Sequence, residues 1–330
     1  MNVQLGLFGP GALPEPPASV GPAPVSERVA ALAARLPQGI RLGTSSWSFP
    51  GWEGIVYDRG ASQAALARDG LAAYAAHPLF RTVGVDRSYY QSLDAEQWRT
   101  YADAVPDDFR FLVKADRLIT SPLDPEVQGL RTRNVRFLDP TFATDVVIGP
   151  MMEGLGAKAG VLLFQFPPIP PNLVRGRQAF WERLQRFLGA LPRVVTCAVE
   201  LRTPAFLADS YAEVLESVDA AHCYNVHPAM APLERQLQVV QPFYQPALVV
   251  RWMLHSGLEY EAARERYEPF DRLVDEDPIS RERIATTVLD VSLAERTSFI
   301  IANNKAEGSS PLTLLRLAER IAEWSPSIAQ

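Results

Sequence analysis

Eight strand-like segments alternate with helix-like segments along this chain of 330 residues, and this alternation constrains its fold more than any other feature. The strand candidates are residues 40–46, 81–86, 109–115, 159–166, 194–200, 220–226, 247–253 and 297–303. Helical patterns lie near residues 64–76, 94–104, 140–155, 177–190, 209–218, 280–295 and 311–324. Because strands that alternate with helices pair in parallel, eight of them predict a closed (β/α)₈ barrel, the TIM barrel. An open doubly wound sheet is the alternative, but no Gly-x-Gly-x-x-Gly motif follows the first strand.

The first 25 residues differ from the rest in composition, because they are rich in Pro, Gly and Ala and contain six prolines. Proline at this density blocks regular structure. We therefore predict a flexible tail over residues 1–25 and a single barrel domain over residues 26–330. Ser26 is a suitable cap for a short helix that ends near Leu36, before the first strand.

Charge and hydropathy exclude some classes of function. The net charge of −6 gives no basic field for wrapping nucleic acid, so direct nucleic-acid binding is open only as a local property. The longest apolar strand is too short to span a bilayer and the start of the chain does not resemble a signal peptide. We expect no membrane partner and a cytoplasmic location. The two cysteines, Cys197 and Cys223, lack metal-site spacing and are predicted to be buried apolar residues.

Polar and aromatic side chains gather where the apolar strands end. They include Trp47, Asp86, Tyr89, Lys114, Gln165, Glu200, Arg202, Asn225, His227, Arg251, His255, Asn303 and Asn304. In a (β/α)₈ barrel the carboxyl ends of all strands meet at the face that carries active sites. We therefore predict a ligand pocket at this face. The structural alternative is that such groups satisfy each other, for example as a Lys114–Glu200 ion pair in the barrel mouth.

Several ordered motifs resemble one family, the domain-of-unknown-function 72 family, also called YecE-like. The motifs are Gly43-Thr44-Ser45-Ser46-Trp47, the segment from Phe109 to Ala115, Phe164-Gln165-Phe166-Pro167-Pro168, Val199-Glu200-Leu201-Arg202, Val250-Arg251 and Asn303-Asn304. The resemblance covers residues 40 to 324. It implies a (β/α)₈ barrel, in agreement with the strand count, and it implies no particular activity.

The leading enzymatic hypothesis is hydrolysis or isomerisation of a small polar or anionic ligand, sugar-like or nucleotide-like, with phosphorylated ligands included. Glu200 and Asp86 are the candidate acid/base groups, and Lys114 is a third catalytic candidate that would stabilise negative charge together with Arg251. The substrate-binding candidates are Trp47, Tyr89, Gln165, Arg202, Arg251, Asn303 and Asn304.

Other uses of the same residues remain as alternatives. Lys114 could form a Schiff base with a carbonyl substrate if neighbouring cations lower its pKa. A metal at Asp86, Glu200 and His255 is a weaker hypothesis, because the histidines lack zinc spacing, and no cofactor or metal is assigned. A non-catalytic ligand-binding barrel is a further alternative.

The tail carries a second functional hypothesis, of the interaction class. Residues Gln4, Leu5, Leu7 and Phe8 resemble the short peptide with which bacterial replication and repair proteins bind the sliding clamp. A tethered peptide of this type would place its apolar side chains in a groove of the clamp while the glutamine makes hydrogen bonds. The alternative is that these residues pack on the outside of the barrel.

Two long connections follow the third and seventh strands, at residues 116–138 and 254–279. Because both follow a strand, we expect them to build walls around the mouth of the barrel. The first is locally basic, through Arg131, Arg133 and Arg136. We interpret these charges as a solvated face balanced by neighbouring acidic residues.

Overall fold

The computed structural model describes residues 20–125, 127 and 132–324. Eight parallel strands close into a barrel in the order of the sequence, with the last strand paired to the first. The strands are β1 (Ile40–Thr44), β2 (Phe80–Val85), β3 (Arg110–Lys114), β4 (Ala159–Gln165), β5 (Thr196–Glu200), β6 (Ala221–Val226), β7 (Leu248–Trp252) and β8 (Ser298–Ala302). This confirms the predicted (β/α)₈ barrel.

Helices surround the barrel in the described residues. They are α1 (Glu27–Arg35), α2 (Gln63–Asp69), α3 (Leu71–Ala75), α4 (Arg87–Tyr90), α5 (Ala95–Asp103), α6 (Arg117–Thr120), α7 (Pro140–Phe142), α8 (Gly149–Leu155), α9 (Arg177–Gly189), α10 (Asp209–Ser217), α11 (Leu233–Val239), α12 (Tyr260–Tyr267), α13 (Pro278–Leu293) and α14 (Ser310–Trp324). Short 3₁₀ turns lie at Pro50–Trp52, Gly156–Lys158, Pro171–Val174, Pro204–Phe206 and Pro242–Tyr244.

Side-chain caps explain where several helices begin. Ser26 accepts a hydrogen bond from the Val29 amide at the start of α1, as its position in the sequence predicts. Asp94 and Gln97 form a reciprocal capping box at α5. These caps satisfy amides that have no partner within their own helix.

The structure differs from the sequence prediction in several helical regions, and it contains the short helices α4, α6 and α12, which were not predicted. The predicted helix 64–76 is two helices, because Gly70 lies between α2 and α3. The predicted helix 140–155 contains a π-helical segment, Ala143–Ile148, between α7 and α8. Helix α11 was not predicted, because its seven residues follow Pro232 and carry no extended apolar period.

Two apolar layers form the core. Inside the barrel, a cluster of small and branched side chains fills the space between opposite strands: Leu112, Val161, Leu163, Ala198, Ala221, Cys223, Val249, Phe299 and Ile301. A larger cluster lies between the strands and the surrounding helices. Cys223 is buried as predicted, whereas Cys197 is partly buried, and both are free thiols.

The described end of the tail contacts the barrel. Ala23 is buried and its amide donates a hydrogen bond to the Val56 carbonyl, while Pro22 bridges Tyr57. Residues 20–25 therefore lie on the barrel, although the sequence assigned them to the flexible tail. Backbone hydrogen bonding of this kind needs no regular sequence pattern, which is why composition did not reveal it.

In the described part of the chain, none of the helices combines the length and the apolar character that crossing a lipid bilayer requires.

Candidate functional site

Each strand, or the residue directly after it, contributes one polar side chain to the carboxyl end of the barrel. Side chains alternate along a strand, so residues two positions beyond the apolar interior layer face the barrel axis again. We call this set the mouth ring: Ser45, Asp86, Lys114, Gln165, Glu200, Asn225, Arg251 and Asn303. The chain therefore places apolar side chains within the barrel and polar side chains at its rim.

Glu200 is at the centre of the mouth ring and is fully buried. One carboxylate oxygen lies 2.5 Å from Nη1 of Arg251, and the other forms an ion pair with Arg202. Burial alone would raise the pKa of Glu200, but the two guanidinium groups outweigh it and lower the pKa to about 2. Glu200 is therefore ionised at neutral pH, and its contacts favour a role in holding the two arginines.

Arg251 joins four strands through its guanidinium group. Besides the bond to Glu200, its Nη1 donates to Oε1 of Gln165 at 3.0 Å. Its Nη2 lies 3.5 Å from Oδ1 of Asp86, whose side chain is 38% exposed. Burial would lower the pKa of Arg251, but these carboxylates raise it overall. A permanent positive charge is therefore fixed in the mouth, next to a carboxylate that solvent can reach.

Lys114 is buried, and its ammonium nitrogen lies 3.8 Å from the centroid of the Tyr89 ring. Among the described residues, no carboxylate is within ion-pair distance of this nitrogen. Burial lowers the pKa of Lys114 to about 8, although Asp86 opposes the shift, and Arg251 adds to it. The amine therefore changes charge close to physiological pH, as a proton-transfer group requires. The alternative of a Lys114–Glu200 ion pair is not what the structure shows.

Two of the predicted binding residues lie away from this cluster. Trp47 packs edge-on against Tyr101, with ring centroids 5.3 Å apart, and its indole nitrogen donates to the Leu66 carbonyl. Asn304 is buried and accepts hydrogen bonds from the amide and hydroxyl of Ser310 at the start of α14. These contacts give Trp47 a packing role and Asn304 a capping role.

The remaining predicted residues do come together. Gln165, Arg202, Arg251 and Asp86 are linked through Glu200 and Arg251 by the contacts described above. Lys114 contacts the ring of Tyr89 and interacts with Asp86, Arg251 and Glu200 through their charges. Asn303 donates to the Ser45 hydroxyl at 2.8 Å, which connects the ends of the neighbouring strands β8 and β1.

His227 is a further residue of the mouth that was noted at the end of β6 but not selected as a site residue. It is half-buried, and burial followed by the charge of Arg202 lowers its pKa to about 4. Its Nδ1 accepts a hydrogen bond from the Ala229 amide, which leaves the proton of the neutral ring on Nε2. A neutral imidazole beside a guanidinium group is a suitable hydrogen-bond donor to a ligand.

The loop after β7, residues 253–277, forms a wall on one side of the mouth. Leu254, Ala263, Tyr267 and Phe270 form a small core of their own, against which Phe49 packs. The loop fits closely against the loop after β1, because a Cβ on Gly51 would lie 1.8 Å from the Pro269 carbonyl oxygen.

The same wall is also held from the β8 side. The buried carboxylate of Glu307 accepts hydrogen bonds from the Asp277 amide and the Arg281 side chain, both at 2.7 Å. The expected wall after the seventh strand is therefore present, and it is attached on both sides.

Metal ligands are not grouped in the part of the chain that the structure describes: no three His, Cys, Asp or Glu side chains are placed to hold an ion together. Asp86, Glu200 and His255 in particular do not form such a set. The mouth instead offers cationic and hydrogen-bonding groups.

Comparison with known proteins places the chain among related barrels. The sequence model of the family described as "Protein of unknown function DUF72" matches residues 41–329. A solved DUF72 family protein from Enterococcus faecalis is 19% identical, with a TM-score of 0.58 and coverage of 86% of this chain and 95% of that chain. A second, from Thermotoga maritima, is also 19% identical, with a TM-score of 0.56 and coverage of 85% and 98%. At this identity the likeness shows the fold alone. No curated protein matches the sequence.

Proposed function

The chain belongs to the DUF72 family, and we propose that the mouth of its barrel is an active site for proton transfer on a small polar, anionic substrate. Hydrolysis and isomerisation are two reaction types that depend on such a transfer. The observation that carries the proposal is Lys114, a buried amine without a carboxylate partner among the described residues and with a pKa lowered to about 8.

Each group in the mouth has a role in this proposal. Arg251 and Gln165 bind the anionic part of the substrate, because a guanidinium fork matches carboxylate and phosphate oxygens. Lys114, as the neutral amine, takes a proton from the reacting group, either a carbon next to a carbonyl or an attacking water. Asp86 reaches solvent and is the second group that can exchange a proton with the substrate. Glu200 positions the arginines.

Two alternatives use the same residues differently. A neutral Lys114 amine would also suit a Schiff base with a carbonyl substrate, which borohydride reduction would trap on this lysine. A non-catalytic barrel would bind the ligand without turnover, and ligand-dependent thermal shifts in the absence of product would identify it.

We expect Lys114 to titrate near pH 8. The chain has only three lysines, at positions 114, 158 and 305, so protein labelled with ¹³C at the lysine Cε gives three signals that can be followed by NMR. Lys114→Arg assigns the signal of interest by its disappearance. A midpoint near pH 8 supports proton transfer by Lys114, whereas a midpoint near the ordinary value of 10.5 contradicts the proposal.

A second function is proposed for the tail, on the strength of its sequence: docking to a bacterial sliding clamp. The motif residues Gln4, Leu5, Leu7 and Phe8 lie outside the described residues. The barrel would then act near DNA while the tail supplies the attachment. A cytoplasmic location is part of this proposal.

We expect immobilised clamp to retain the wild-type protein and to lose Leu7→Ala/Phe8→Ala. Removing two apolar anchors from a short peptide should weaken binding at least about tenfold. Leu13→Ala, in the same tail but outside the motif, is the matched control. Equal recovery of all three proteins refutes clamp docking and leaves the proposal for the mouth unaffected.

A further inference from the structure

A groove of about 420 Å³ lies on the outer rim of the barrel, outside the mouth ring. One side is the loop after β3, and the other is the loop after β4 together with the start of α9. We call it the arginine groove, because its charged lining consists of Arg133, Arg175, Arg183 and Arg186. Phe137 and Phe180 contribute apolar surface at its base.

The four charges of the arginine groove form no ion pair with any carboxylate that the structure describes. Among the described residues, none of its four arginines has a carboxylate within ion-pair distance, whereas other arginines such as Arg281 and Arg320 are paired. Burial lowers the pKa of Arg183, and repulsion from Arg186 and Arg133 lowers it further. Arg133 and Arg136 are exposed, which agrees with a solvated face, whereas Arg131 lies outside the described residues and the predicted balance by acidic neighbours stays a prediction.

One of the four guanidinium groups is fixed in place. Arg183 donates a hydrogen bond to the Phe137 carbonyl and lies 4.7 Å above the ring of the same residue. This contact ties α9 to the loop after β3 and holds the positive charge in the groove. The other three arginines are exposed and can turn toward a ligand.

The backbone at Arg175 is also unusual. Its φ of 62° lies in the left-handed region, at the end of the 3₁₀ turn Pro171–Val174. A side chain in this region costs on the order of 1 kcal/mol, and glycine would avoid that cost. The next residue, Gly176, also has a positive φ of 94°, so the chain turns sharply here and Arg175 lies on that turn at the edge of the groove.

We infer that the arginine groove binds a small anion with adjacent phosphate groups, such as the polyphosphate chain of a nucleotide. Guanidinium groups bind phosphate oxygens in pairs, and several of them around one groove suit several phosphates. The volume is within the range of small-molecule sites. The groove belongs to the loops after β3 and β4, the strands that supply Lys114 and Gln165 to the mouth, but the inference does not depend on the reaction proposed there.

Calorimetric titration with inorganic tripolyphosphate at low salt tests this inference. Arg175→Gln/Arg186→Gln removes two exposed charges that form no ion pair with the described residues, so the fold should be unaffected. We expect its dissociation constant to rise at least about tenfold, since charge-assisted hydrogen bonds are lost. Arg193→Gln/Arg235→Gln removes two exposed charges on other faces and should change the constant less than about twofold. Equal weakening in both variants, or no binding to the wild type, overturns the inference.

The source of the phosphate groups is distinguished in the same assay. ATP binding with tripolyphosphate-like affinity, together with no binding of adenosine, supports a nucleotide phosphate chain. Binding of a single-stranded oligothymidylate is tested with tripolyphosphate as competitor. If the oligothymidylate binds and tripolyphosphate does not displace it, the groove binds a nucleic-acid backbone, and the small-anion assignment is contradicted.

Discussion

Glu200→Gln is expected to lower the free energy of unfolding by about 3–5 kcal/mol, because removing one partner of a buried ion pair leaves uncompensated charge in the interior. Here the change affects two partners, Arg202 and Arg251, which both contact the same carboxylate. Arg251 would keep only its bond to Gln165 and its longer contact with Asp86. Urea unfolding followed by circular dichroism measures the loss.

A matched control is available on the surface. Glu234 pairs with Arg283 at 3.3 Å, and both side chains are more than 40% exposed, so Glu234→Gln should cost less than about 1 kcal/mol. Adding Arg202→Gln to Glu200→Gln should restore part of the lost free energy of unfolding, because it removes one of the two guanidinium charges that have lost their carboxylate partner. Similar costs for the buried and the exposed substitution would contradict the central role of Glu200.

The same variant should change the response to acid. The pKa of Glu200 in the folded protein, about 2, lies below the ordinary value of 4.5. Its stabilising contribution is therefore complete above about pH 4.5 and is lost as the pH falls toward 2. Between pH 4.5 and 2 the free energy of unfolding of the wild type should fall, and that of Glu200→Gln should fall by less.

Lys114→Met is expected to raise the free energy of unfolding, whereas Glu200→Gln lowers it. The same substitution should abolish turnover. Holding a buried charge whose pKa is lowered to about 8 costs the folded protein free energy, and methionine fills similar volume without that cost. The gain should be about 1–3 kcal/mol at pH 7. This gain in stability should be complete below pH 8, where Lys114 is charged in both the folded and the unfolded protein. It should decline between pH 8 and 10.5, because the amine of the folded protein has lost its proton there.

Loss of the proton-transfer group should reduce kcat by about 10²–10⁴-fold for a substrate found by screening phosphorylated and carboxylated sugars. Lys305→Met, a substitution of the same type in the loop after β8, should retain most of the turnover. A Lys114 variant that is more stable and still fully active would remove this residue from the mechanism and leave the mouth as a binding site.

The barrel itself could be predicted closely from the sequence, because each strand is a short apolar run bounded by polar or turn residues. All eight predicted strands overlap the observed ones, as in β4, where 159–166 was predicted and Ala159–Gln165 is found. The division into α2 and α3 at Gly70 could not be predicted, because glycine within a helical pattern either breaks it or is tolerated according to the packing around it.

The site was predicted in part. That strand ends meet is a property of the fold, so Lys114, Gln165 and Glu200 could be grouped without coordinates. Which residue of an adjacent pair faces inward depends on strand alternation, and this separates Asn303 from Asn304. The partners of Glu200 depend on the three-dimensional positions of two arginines, one following β5 and one on β7, which residue types do not encode.

The attachment of the β7 loop determines how a substrate can arrive. Its close fit to Gly51 and its bonds to Glu307 hold this wall in place beside β7, β8 and β1, so opening it would break a buried contact on each side. The rim after β2, next to this wall, carries the solvent-accessible carboxylate of Asp86 and the exposed ring of Tyr90. We therefore expect a molecule that travels to Lys114 to enter and leave beside β2, past these exposed groups, rather than through the attached wall.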